Sequence, residues 1–213
     1  MLPTEKLQAL VTPWSDWLTE LDLKHVRSAE GLADIMSWDI KRGRSFQCIV
    51  QLLYCCDHLP QYSQPISGRV ELWLSSRVHE PMPVFRKQIE QVLTTFYNIG
   101  SDPRLNRAFT VVSARIAPVE FVFIGVLIAT LLGVGEETVA KEVGLMRTHV
   151  RKFHRDIRSN TNVYGTLWDF IDEAQIRNRR SVLTWMSTSQ ELSNQLLGVM
   201  PGRRVHKRRA IAT

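Results

Sequence analysis

The chain has 213 residues, a net charge of +6, and a composition that is 44% hydrophobic and 23% charged. These values fit one globular domain, or one domain with a tail, and rule out a collagen-like or low-complexity chain. The opening Met1-Leu2-Pro3-Thr4-Glu5-Lys6 lacks a basic start followed by an apolar run, so no secretory signal is expected, and the setting reads as intracellular, nucleus or cytoplasm. Three cysteines, Cys48, Cys55 and Cys56, without CxxC spacing argue against a disulfide framework or a zinc site. No metal or cofactor is expected.

In chain order, Thr4 to Leu10 reads as a short helix. Thr12-Pro13 supplies a cap and a first-turn proline for a helix carrying Trp14, Trp17, Leu18 and Leu21. A short helical pattern spans Ala29 to Trp38. Lys41-Arg42-Gly43-Arg44 is a basic turn that opens a helix with Phe46, Ile49, Val50, Leu52, Leu53 and Tyr54 on its apolar positions. Cations at a helix start would hold a phosphate, and the competing reading is a solvated turn. Leu59 to Pro65 is a loop, Ile66 to Ser75 a helix, and Val84 to Ile99 an amphipathic helix with Phe85, Ile89, Val92, Leu93 and Phe96 on one side. Asp102-Pro103 starts the next helix, lined by Leu105, Phe109 and Val112.

Ala117 to Leu132 is a nearly uncharged apolar run. Pro118 fits a first helical position and Gly133 and Gly135 mark the end. The run falls short of the about 20 residues a membrane span requires, so it reads as a buried central helix, with Pro118, Glu120 and Phe121 as structural residues. Glu120, the single charge, reads as a buried partner for an arginine such as Arg115 or Arg44. With no strand alternation of any length, the expected fold is all-α: a multi-helix orthogonal bundle around a central apolar helix at about 117–132.

Charge divides the chain unevenly. Residues 1–140 hold 13 Lys and Arg against 15 Asp and Glu, whereas residues 141–213 hold 14 against 6. Such asymmetry points to a polyanionic partner, DNA or RNA among them. Thr138 to Val150 matches a helix-turn-helix pattern, with Ala140 admitting a second helix, Gly144 making the turn and Val150 anchoring the pair. Arg147, His149, Arg151, Arg155 and Arg158 would then face bases and phosphates. The opposing reading makes the arginines the wet stripe of one packed helix, with Val143, Met146, Val150, Phe153 and Ile157 on its apolar side. Val163 to Ala174 is a further helix, Arg177 to Arg180 looks like a boundary, and Val182 to Leu197 suggests another helix. The basic tail carries Arg203, Arg204, Lys207, Arg208 and Arg209, a nuclear-import signal or a phosphate clamp. The division is a helical domain over 1–175 and a basic tail over 176–213.

Several segments in order resemble the helical C-terminal half of fungal ParB/sulfiredoxin-like proteins, the family named for the first domain of the GmrSD restriction system. They are Glu5-Lys6-Leu7-Gln8-Ala9, Lys41-Arg42-Gly43-Arg44-Ser45-Phe46, Pro118-Val119-Glu120-Phe121 with Gly125-Val126-Leu127, and Met146-Arg147 through Val150-Arg151 to Asp156-Ile157-Arg158. The resemblance implies an N-terminal α/β domain with a DGxQR-type motif, and that motif does not occur here. It therefore carries over no catalytic residue and suggests a truncated product. The expectation is a noncatalytic helical module that pairs with a ParB-like domain or self-associates; the alternative is a DNA-binding module using 136–158. An enzyme in its own right is the least favoured reading, since no nucleophile–base pair, metal-ligand set or phosphate-cradling glycine loop is evident.

Overall fold

A computed structural model describes residues 11–38 and 43–178. Among them are nine α-helices and no strand. α1 (Ser15–Leu21) is introduced by Thr12, whose hydroxyl accepts the Trp14 N–H at 3.2 Å. It continues without a break into a π-helical turn, Asp22–Val26. α2 (Leu32–Ile35) is one turn, and α3 (Arg44–Asp57) follows Gly43, whose φ of 64° is the left-handed conformation that glycine adopts without strain. α4 (Ser67–Ser75) and α5 (Pro83–Ser101) come next, the latter with proline in its first turn.

The stretch after Asp102 departs from expectation. The Asp102 carboxylate accepts the Arg104 N–H at 2.8 Å, which closes a turn rather than a helix. The helix, α6, is only Arg107–Thr110, and Val112 lies beyond it. α7 (Pro118–Thr130) is the apolar run, α8 is Glu136–Phe153, and α9 is Thr161–Arg177. Asn160 caps α9, its side-chain oxygen accepting the N–H groups of Asn162 and Val163, each at 3.1 Å.

α7 is the axis of the bundle. Every residue from Val119 to Thr130 is buried, and α3, α5, α8 and α9 all pack on it. A helix with no polar face must be enclosed on all sides, and aromatic rings complete the enclosure. Trp38 stacks on Phe121 at 4.8 Å between centroids, Phe96 meets the same ring at 5.1 Å, and Trp168 approaches Phe123 edge-on at 5.2 Å. Gly125 lets α3 approach: a Cβ there would sit 2.7 Å from a Leu52 methyl. No described helix is long and apolar enough to cross a membrane. The thiols of Cys48, Cys55 and Cys56 are free, buried, and pushed up by desolvation, so they behave as small apolar side chains.

Candidate functional site

The deepest charges in the described chain meet where α7 starts and α8 passes. Glu120, in the first turn of α7, is fully buried, and so is Arg147, 0% exposed in the middle of α8. Arg147 Nε donates to Glu120 Oε1 at 3.3 Å, Nη2 to the Ala114 carbonyl at 2.8 Å, and Nη1 to the Phe109 carbonyl. Arg151, one turn on and partly open to solvent, adds a two-pronged bond: Nη1 to Oε1, and Nη2 to Oε2 at 2.7 Å. Glu120 Oε2 also accepts the Ala117 N–H at 2.8 Å, which ties off an orphan donor at the helix start.

Counting lone pairs decides what this cluster can do. Oε1 takes Arg147 Nε and Arg151 Nη1; Oε2 takes Ala117 N–H and Arg151 Nη2. An ionised carboxylate has about four acceptor sites, and all are used. A base must offer a free lone pair to the proton it removes, so Glu120 as placed is a structural carboxylate. Burial lowers the Arg147 pKa, Glu120 counters that shift, and the neighbouring Arg151 adds to it. Each of its three nitrogens nonetheless donates to a carboxylate or a carbonyl, which is what lets a guanidinium lie inside a core.

These contacts correct several expectations. Glu120 is paired with Arg147 and Arg151, and not with Arg115 or Arg44. Residues 138–150 form one uninterrupted helix with Gly144 inside it, so there is no turn and no helix-turn-helix. Arg147 faces the core and is out of reach of nucleic acid. The single stripe is corrected too. α8 stops at Phe153, where His154 turns to extended backbone, so Arg155 and Arg158 lie past its end. Phe153, expected on the apolar side, is exposed.

The remaining site residues are scattered. His149 is half-buried against Phe153 and Phe170, at 5.0 and 5.4 Å between ring centroids. Arg44 and Arg155 are exposed, and Arg158 is exposed and bound to Asp156 at 2.6 Å. Pro118 and Phe121 sit in the first turn of α7, Phe121 fully buried. Lys41, Arg42 and the tail cations Arg203, Arg204, Lys207, Arg208 and Arg209 lie outside the described residues, as do the helices expected at Thr4–Leu10 and Val182–Leu197.

Sequence reasoning missed a second carboxylate clamp. Glu142 of α8 is buried and accepts Arg177 Nη2 at 2.7 Å and Asn178 Nδ2 at 3.2 Å, so it grips the end of α9. It also missed an aromatic cluster at the start of the described chain. Trp14 packs on Trp17, Trp73 and Phe85, and its indole N–H donates to the His79 carbonyl at 2.9 Å. The Arg77 guanidinium lies over Trp73 and Trp14 while bound to Asp57 at 3.1 Å. Beside it is a hollow of about 220 Å³ lined in part by Val78, Pro81 and Met82, and Val78 and Met82 are 72% and 69% exposed. Trp14 and Trp17 three residues apart, with Trp73 and Phe85 on later helical faces, were the available signal.

Comparison of the chain with protein-family models, with curated proteins and with solved structures gives no match in any of the three.

Proposed function

We propose that the chain is the noncatalytic helical module of a ParB/sulfiredoxin-like nucleotide- or nucleic-acid-processing protein, and that it acts by packing on an α/β domain of that family. The observation that carries this reading is the closed Glu120–Arg147–Arg151 cluster. Among the segments by which the sequence resembles the family, Glu120, Arg147 and Arg151 are those that lock α7 to α8, which supports a scaffolding role for that part of the resemblance. The Trp14–Trp73–Phe85 face, with Val78 and Met82 exposed on it, is the surface best suited to the α/β partner, because large exposed apolar groups beside packed aromatics are what a partner covers. The test is sedimentation of the chain mixed with the α/β domain of a ParB/sulfiredoxin-like protein. A stable complex is expected, and it should be lost in Val78→Glu/Met82→Glu while the melting curve is unchanged. No complex, or one indifferent to both substitutions, sinks the reading.

A second reading rests on the last turn of α8 and the connection after it. Lys152 and Arg155 are exposed and make no ion pair among the described residues, which leaves them available to phosphates. Duplex binding followed by fluorescence anisotropy should then weaken steeply with salt and fall in Lys152→Ala/Arg155→Ala. Binding unchanged by that pair would remove this reading.

A further inference from the structure

Between α6 and α8 runs an open groove of about 420 Å³. Its apolar lining comes from Leu105, Ala108, Val111, Ala140, Gly144 and Leu145. Three of those residues are small and keep the floor low: Ala108, Ala140 and Gly144, the last facing α6 with room for no more than an ordinary contact, since an added Cβ would sit 3.6 Å from the Ala108 Cα. On the banks, Val111 and Leu145 are 47% and 43% exposed. Each is an aliphatic side chain left half in water, Val111 just past the end of α6 and Leu145 on α8, and a segment lying between them would cover both.

Charge states the kind of segment. Three cations line the groove, Arg104, Arg107 and Lys141, against one acid, Glu137. Arg104 is held by Asp102 at 2.7 Å. Arg107 on α6 and Lys141 on α8 are exposed and make no ion pair among the described residues, so the groove carries one free cation on each bank. We propose that this groove is a docking site for an acidic amphipathic helix of a partner protein, its apolar stripe set between Val111 and Leu145 and its carboxylates on Arg107 and Lys141. The site shares no residue with the Trp14–Met82 face and does not depend on that reading. The same charges disfavour the cation cluster at 203–209 as occupant, since like charges meeting at a rim suppress the wrong partner; the apolar segment 182–197, with one Glu and no Lys or Arg, is the competing occupant that the test addresses.

Peptide-display selection from a random library against the full chain tests this, followed by anisotropy of the enriched peptides with a fluorescent label. Enriched sequences should combine apolar residues at helical spacing with two or more Asp or Glu. Their affinity should drop by about tenfold or more in Arg107→Glu/Lys141→Glu and again in Leu145→Asp, with circular dichroism melting unchanged in all three forms. Enrichment of basic or uncharged peptides would overturn the proposal, as would acidic peptides that bind these variants as tightly as the parent. So would the absence of any enrichment. Binding that appears only after Leu192→Glu/Leu196→Glu would overturn it by naming the tail as the occupant. Concentration-dependent self-association abolished by Leu145→Asp would do so by naming a second copy.

Discussion

Replacing Glu120 by Gln would remove the charge that justifies a guanidinium in the core. Arg147 would keep its two carbonyl bonds but lose its counter-ion, and breaking a buried pair from one side costs about 3–5 kcal/mol. Arg151→Lys keeps the charge and gives up the two-pronged geometry at a partly solvated position, so its expected cost is about 1 kcal/mol. Urea unfolding of the two variants should separate them clearly. Asp22 runs the other way. It is buried at the start of the π-helical turn, with its Oδ1 and the neighbouring Ser45 hydroxyl close but not within good hydrogen-bond geometry of any partner among the described residues. Burial raises its pKa above the ordinary 3.8, with Ser45 and Arg27 tempering the shift. Its folded form thus binds a proton more readily than its unfolded form. The group's contribution to stability improves as pH falls through the raised value and is complete below 3.8. Asp22→Asn should therefore stabilise the chain at neutral pH by about 1 kcal/mol. Melting curves of variant and parent should converge as pH falls through that window; a gap that widens on acidification would contradict the assignment.

At the level of elements, helix packing sets which glycines are fixed. Gly125 faces Leu52, itself fully buried, so the Leu52 methyls have nowhere to retreat. Gly125→Ala should cost about 1–3 kcal/mol by overpacking, and Leu52→Ala combined with it should cost less than the two single losses added together. Gly165, inside α9, has nothing within 4 Å of an added Cβ. Gly165→Ala should raise stability by about 0.5–1 kcal/mol through helix propensity alone, a contrast that denaturant titration would read directly. Elements of this kind were legible in the sequence wherever a period of 3.6 was strong. The apolar stripe of α5, the unbroken apolar run of α7 and the proline that opens it all announce helices. The short α6 was not, because Asp102-Pro103 carries a helix-start signal that the Asp102 side chain spends on a turn. α8 was misread for a related reason. Alanine and glycine four residues apart fit two helices meeting at a turn, and equally one helix with a hollow side; only the position of α6 chooses between them. The partners of Glu120 lie 27 and 31 residues away on another element, a distance that no local pattern encodes.

Across the whole molecule, α7 is enclosed by four helices, and its amides should exchange only when the chain unfolds altogether. Hydrogen exchange should find its slowest protons in Val122–Ile128, and the segment after α6 among the fastest; comparable rates in both would mean that α7 is not the axis of stability. That outer segment has another property. Residues 111, 113, 114 and 115 are exposed, yet the carbonyls of Phe109 and Ala114, one on each side of Val112, are both held by the guanidinium of Arg147. A protease that nicks the chain near Val112 would thus create two new ends already fastened to the same side chain. The two pieces should remain one particle on a sizing column in buffer and separate only in denaturant. Covalent continuity at that point is dispensable to the assembled bundle, and a stretch that looks like a linker behaves as a seam.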